Sequence, residues 1–330
     1  MNNSNTRRAR AALSALIEPS DPVGMALIES VGPVDALRVA EGTIKHSRQT
    51  AQDVSAILSA RESGYRQDPL PEALTKWARK STDPAPERDI ATIERLGGRL
   101  LIPEDEEWPD ALLDLDLVHQ PICLWARGGN GFEIPAEHRS VALVGSRDST
   151  NYGNAVTADL AASLSHRGFS VVSGGAYGID ATAHRAAMAT GGAPTLAVSA
   201  CGLDRYYPAG NEDLLRTIAN QGMLISEVPP GTAPTRWRFL QRNRIMAALS
   251  AVTVVVEARW RSGALNTVRH AIDLNREVGA VPGSVHSANS AGCHRLLREG
   301  TAVCVSDAGQ IIELAGSMNQ QMTPEPNLTP

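Results

Sequence analysis

The sequence predicts an α/β protein: an extended Rossmann-like, doubly wound, mostly parallel sheet with a small all-helical domain in front of it. Three observations lead there. From about Ile90 onward, short runs of Val, Ile and Leu alternate with helical stretches, the pattern of β-α units feeding a parallel sheet. The runs are apolar at successive positions, as strands buried on both faces require. Ahead of them the apolar spacing is helical only.

In chain order, about Arg8 to Glu62 reads as short helices, with apolar positions recurring helically in Ala11 to Ile17 and Val54 to Leu58. Ser30-Val31-Gly32-Pro33 breaks one helix and starts the next. Pro69, Pro71, Pro84 and Pro86 oppose continuous helix and place a domain boundary there. The strands expected next begin at Val141, Ser170, Thr195, Met223, Val252, Val278 and Ala302, with further candidates at Arg99 to Ile102 and Ile122 to Trp125. Helices are expected near Ala155–His166, Ala181–Thr190, Asn211–Asn220, Phe239–Leu249 and Leu265–Asn275. The division is a helical domain 1–65, a linker 66–90, a Rossmann-like domain 91–315 and a polar, flexible tail 316–330.

At 330 residues, 42% of them apolar, the chain can bury a large core. Neither a signal-peptide core nor a stretch of membrane-spanning length occurs, so a soluble, cytoplasmic protein is expected. Cys123, Cys201, Cys293 and Cys304 lack metal-site spacing and read as structural thiols. A net charge of −5 excludes a surface that coats nucleic acid all round, but leaves a local groove open.

Ligands of open α/β sheets bind beyond the carboxyl ends of the strands, where helix N-termini hold anions. Gly145-Ser146-Arg147 follows a strand there and combines close backbone approach, a hydroxyl and a guanidinium fork, the parts of a phosphate grip. Ser173-Gly174-Gly175-Ala176-Tyr177-Gly178-Ile179-Asp180 stands at a second strand-to-helix junction. Tight turns need such glycines with or without a ligand. Neither loop is the G-x-G-x-x-G fingerprint, so no nicotinamide cofactor is expected, nor any other.

Charge segregation is more informative. Arg236, Arg238, Arg242, Arg244, Arg259, Arg261 and Arg269 stand against one acid, Glu257, with Trp237, Phe239 and Trp260 interleaved. Guanidinium groups for phosphates beside flat rings for bases point to single-stranded nucleic acid. Phe239 also fits a core position and Arg242 a fold-supporting one. Asp180 and His184, at i and i+4, have no third ligand and read as a helix-capping acid and a core histidine. Ser173 and Ser226 lack the G-x-S-x-G elbow of a hydrolase, and an enzyme is not expected.

Val144-Gly145-Ser146-Arg147, Ser173 to His184, Tyr207-Pro208, Ser226-Glu227, Arg242-Asn243-Arg244, Val255 to Ala258, Ser262-Gly263-Ala264-Leu265 and Val281-Pro282-Gly283 occur in order. Together they resemble the successive motifs of the DprA/Smf family of DNA-processing proteins from about Arg99 to Glu313. The N-terminal helices resemble, less specifically, the family's small sterile-alpha-motif-like or helix-hairpin-helix domain. The resemblance implies a homodimer that binds single-stranded DNA and loads a RecA-type recombinase on it during natural transformation.

It also implies that Gly145, Ser146 and Arg147 bind phosphate, with Gly174, Gly175, Gly178 and Asp180 as the second glycine loop and Arg242 and Arg244 in the Arg-Asn-Arg motif. The expected DNA-binding set adds Ser173, Tyr177, Arg236, Asn243, Arg261, Ser262 and Gly263. Tyr177 stands where many relatives carry Arg, and Leu240 where Pro is common, which shifts the balance from charge towards stacking. The winged-helix domain many relatives append is not expected here.

Two other readings compete with this one. A nucleotide-processing enzyme on a related scaffold would need a Pro-Gly-Gly-x-Gly-Thr-type loop with a following acid, which neither Ser173 to Asp180 nor Pro282-Gly283-Ser284 supplies. A mononucleotide sensor would gain no affinity from a longer strand, whereas a DNA groove would.

Overall fold

The computed structural model describes residues 3–60, 68–80, 85–129, 131 and 133–321. In chain order the helices are α1 (Asn3–Leu16), α2 (Pro22–Ala40), α3 (Arg48–Ser59), α4 (Leu70–Lys80), α5 (Pro86–Arg95), α6 (Asn151–His166), α7 (Ile179–Ala189), α8 (Glu212–Gln221), α9 (Arg236–Gln241), α10 (Asn243–Ala248), α11 (Ala264–Asp273), α12 (Ala291–Arg298) and α13 (Ala308–Gln321). The strands are β1 (Gly98–Leu101), β2 (Leu124–Gly128), β3 (Ser140–Val144), β4 (Ser170–Ser173), β5 (Leu196–Val198), β6 (Met223–Ser226), β7 (Val252–Val255), β8 (Glu277–Ala280) and β9 (Val303–Cys304). The chain forms two compact units: Met1–Arg127 with Ala200–Arg205 and Ile225–Gln241, and Gly128–Ser199 with Tyr206–Leu224 and Arg242–Pro330.

The first unit is mainly helical. Asp21 caps α2 by accepting from the Gly24 N–H at 3.3 Å, and Pro22 starts the helix where no donor is needed. Gly32, at φ 75°, and Pro33 kink α2 where the sequence places a break. The core joins Leu13, Leu16, Leu27, Val54, Leu58, Leu70 and Trp77. α4 and α5 occupy much of the stretch expected as a linker. Pro71 and Pro86 each fall in a first turn, where the missing N–H costs nothing, and Leu70, Ala73 and Trp77 make one buried stripe. Pro84 and residues 61–67 lie outside the described residues. β1 and β2 pair antiparallel, Leu100 opposite Trp125.

The second unit carries the sheet, in the order β6-β5-β4-β3-β7-β8-β9, with the first half of β6 belonging to this unit. β3 pairs in parallel with both β4 and β7, and β7 with β8. From β3 the chain winds one way through β4 and β5, then returns to β7 and winds the other way. The switch point therefore lies between β3 and β7, where open α/β sheets bind their ligands. Val141, Leu143, Val171, Val252 and Val254 pack with Leu160, Leu164 and Ile179 from the covering helices. This is the Rossmann-like, mostly parallel α/β fold expected from the apolar runs.

Three details differ from the expected elements. The single helix expected over Phe239–Leu249 is two, α9 and α10, interrupted at Arg242. α12 has no counterpart among the helices expected. α13 continues to Gln321, into the expected tail, whose last residues, 322–330, lie outside the described ones. Among the described residues no helix is long and apolar enough to cross a membrane.

Candidate functional site

The loops after β3, β4 and β7 interlock at the carboxyl end of the second unit's sheet. Ser146 donates its N–H to the Glu257 carbonyl at 2.7 Å and accepts from the Ile179 N–H at 3.2 Å, so one residue ties all three. A Cβ on Gly145 would lie 2.5 Å from Ile179 Cγ1, and one on Gly178 only 2.3 Å from the Ser146 carbonyl oxygen. Gly178 also has φ +74°, so glycine is required there twice over. Both glycine loops thus meet packing demands of their own. They leave Arg147 exposed beside the switch point.

The N-terminus of α6, where a dinucleotide's phosphate sits in a Rossmann unit, is filled from within. The buried Glu257 carboxylate accepts from the Thr150 N–H at 2.8 Å and the Thr150 hydroxyl at 2.7 Å. Thr150 in turn caps the helix, accepting from the Gly153 N–H at 3.1 Å. A Cβ on Gly153 would lie 2.2 Å from Glu257 Oε2. The glycine that in a nucleotide-binding unit would admit pyrophosphate here admits a side-chain carboxylate.

The structure divides the expected binding residues. Arg242 and Arg244 are 7% and 0% exposed and face inward. Arg242 donates to the Val198 carbonyl and, at 3.1 Å, to Asn243 Oδ1, and lies 3.7 Å from the Asp180 carboxylate. Its guanidinium fills the place a Cβ on Gly174 would need, so this arginine supports the second glycine loop from beneath. Asn243 bonds Asn266 Oδ1 at 3.0 Å and the Gly263 carbonyl at 3.4 Å, steadying the start of α11. Ser173 donates to the Leu143 carbonyl at 2.6 Å, and Ser146 to Asp148 Oδ1 at 2.5 Å. A Cβ on Gly175 would meet Leu215 at 2.8 Å.

Arg147, Arg261 and Gly263 are exposed, Ser262 is half-buried, and Tyr177 is 47% exposed with its hydroxyl accepting from the Gly210 N–H at 3.3 Å. Arg236 is exposed but belongs to the first unit.

Burial holds the Asp180 carboxyl above its ordinary pKa, against the pull of Arg242; it also accepts from the Ala176 N–H at 3.3 Å. His184 is engaged separately. Its Nδ1 lies 2.7 Å from Thr195 Oγ1, whose own proton goes to the Val171 carbonyl at 2.8 Å, so Nδ1 is the protonated nitrogen. Burial, then Arg242 and Arg185, depress its pKa to about 3. The i, i+4 pair is thus a loop-holding acid and a neutral core histidine. Among the described residues no group of three or more His, Cys, Asp or Glu is placed to hold a metal.

Two positioning residues escape sequence reasoning. Asn211 is buried and donates to the carbonyls of Gly175 and Ala176 at 3.0 and 3.1 Å. Asn289 donates to the Asp148 carbonyl at 2.8 Å and accepts from Arg259 Nε at 3.0 Å. No motif or periodicity marks either one. The lone acid in the arginine-rich stretch was a visible signal for Glu257.

A doubly wound sheet with glycine loops and exposed arginines at its switch point, and its helix-terminal anion site filled by its own glutamate, defines a protein of the Rossmann-like α/β class. Comparison with known proteins makes the class specific. The family model for DNA recombination-mediator protein A matches residues 99–316. A Mycobacterium tuberculosis protein carrying the name DNA processing protein DprA is 43% identical over 97% of this chain and 78% of its own length. The X-ray structure of DNA processing protein A from Streptococcus pneumoniae superposes with a TM-score of 0.70 at 28% identity, covering 94% of this chain and 97% of that one. A Helicobacter pylori DNA processing protein A, solved to describe its single-stranded DNA binding mode, gives a TM-score of 0.57 at 27% identity over 68% of this chain and 98% of that one. The chain belongs to the DNA recombination-mediator protein A family, DprA/Smf.

Proposed function

We propose that this protein binds single-stranded DNA along the strand-end loops of its second unit, with little sequence preference, and as a cytoplasmic homodimer loads a RecA-type recombinase on it. It acts by binding, not catalysis. The observation that carries this reading is the division of the arginines: Arg147 and Arg261 stand exposed beside the switch point, while Arg242 and Arg244 are committed to the interior. Exposed guanidinium groups suit a continuous phosphate backbone. For a mononucleotide, Glu257 already occupies the α6 terminus that would hold its phosphate. The Helicobacter pylori relative's single-strand binding mode supports the same assignment.

Fluorescence anisotropy with single- and double-stranded oligonucleotides and with mononucleotides, across a salt series, tests it. Expected are a preference for single strands, affinity that grows with length, and loss of affinity with salt. Equal affinity for mononucleotide and oligonucleotide would overturn the DNA reading. The recombinase step is expected as faster filament assembly on a coated single strand when the protein is added, and the dimer as twice the chain mass in sedimentation.

A further inference from the structure

We infer that Trp260 is a stacking platform for a nucleobase of the bound strand. This rests on the single-strand reading and adds to it a contact with bases.

Trp77 and Trp125 are fully buried, whereas Trp260 keeps 50% of its surface exposed in the loop after β7, at the switch point. An isolated exposed ring is ordinary; the setting of this one is not. The Arg295 guanidinium lies 5.1 Å from the ring centroid, and its Nη1 donates to the Trp260 carbonyl at 3.4 Å. One arginine thus holds both the ring and its backbone. Two residues earlier the backbone is pinned on both sides: the Ala258 N–H donates to the Asn289 carbonyl at 2.7 Å, and the Ala258 carbonyl accepts from the Gly292 N–H at 2.7 Å. A Cβ on Gly292 would lie 2.8 Å from Ala258, so α12 approaches this closely only with glycine there.

A ring fixed in advance loses little freedom when a flat partner stacks on it. Its sequence neighbours are Arg259, bridged to Asp148 and Asn289, and Arg261, exposed and with no partner among the described residues. One step further, Gly263 has nothing within 4 Å of its Cβ position, so a phosphate has clear access to that backbone. A base has two faces and a phosphate on either side, and an arginine-flanked ring matches that chemistry. An apolar protein partner would be poorly matched to flanking guanidinium groups.

The test compares an oligo(dT) 12-mer with a wholly abasic 12-mer of equal charge, on wild type, Trp260→Leu and Trp260→Phe. Wild type is expected to favour oligo(dT). Trp260→Leu is expected to weaken oligo(dT) binding about 5- to 150-fold, the range of one base–aromatic stack, while leaving the abasic strand's affinity unchanged. Trp260→Phe is expected to keep most of the preference, which separates stacking from loss of fold. An oligo(dT)-to-abasic ratio as large in Trp260→Leu as in wild type would overturn the platform and leave the single-strand reading standing. If wild type binds neither strand, both fall together.

Discussion

Replacing Arg242 with alanine asks whether this arginine, lying within a motif that resembles a DNA-binding one, serves the fold. Its guanidinium contacts the Val198 carbonyl, Asn243 Oδ1 and the Asp180 carboxylate, with 7% of the residue exposed. Removing one partner of a buried ion pair leaves the other charge uncompensated and costs about 3–5 kcal/mol. That corresponds to a fall of about 10 °C in Tm at a few degrees per kcal/mol.

Asp180 adds a pH signature. Its folded pKa is raised by burial, so the stability it contributes is present at low pH and lost as pH rises through that pKa. Without Arg242 the pKa rises further, and the variant's deficit is expected to shrink as pH falls from 7 towards 5. Urea unfolding at the two pH values, with anisotropy at a temperature where both proteins are folded, reads the result. A variant of wild-type stability whose DNA salt dependence is flattened would refute the supporting role and make Arg242 a phosphate ligand.

Gly153→Ala reverses a common sign: alanine ordinarily stabilises a helix by about 1 kcal/mol over glycine, but here its Cβ would lie 2.2 Å from Glu257 Oε2. A loss of about 1–3 kcal/mol in urea unfolding is expected, as for overpacking; a gain would show that Glu257 yields the α6 terminus easily. Gly178→Ala places a Cβ 2.3 Å from the Ser146 carbonyl oxygen at φ +74°, and strain of about 1–3 kcal/mol is expected as a lowered Tm together with weaker single-strand binding. His184, with its pKa depressed to about 3, contributes stability above its unfolded pKa that is lost as pH falls towards the folded one. The loss reaches about 2 kcal/mol by pH 5. His184→Asn should flatten that part of the pH profile, and an unchanged profile would assign it to other groups.

The sheet was legible because its strands are doubly buried: runs such as Val141–Val144 and Val252–Val255 have no polar face to disguise them. The N-terminal helices were legible from their apolar spacing, and the kink in α2 from Gly32-Pro33. α4 was hidden because proline was read as a breaker where its position in the first turn makes it an initiator. Within the site, residue type located the loops but not the direction of each side chain. Arg242 and Arg261 are identical as letters, yet one ends against Asp180 and the other in solvent. The packing of Gly174 against the guanidinium and the buried partners of Arg242 distinguish them. Asn211 and Asn289 act through carbonyls far away in sequence, which a linear pattern does not encode.

The most direct test is the salt dependence of single-strand affinity in wild type, Arg147→Ala, Arg261→Ala and the double variant. Each released phosphate contact is worth a slope of about 0.7 in log K against log salt on a single strand. If both arginines hold phosphates, each single variant lowers the slope by about 0.7 and the double variant by about 1.4, read at a temperature where every variant is folded. A folded double variant with the wild-type slope would contradict the switch-point site.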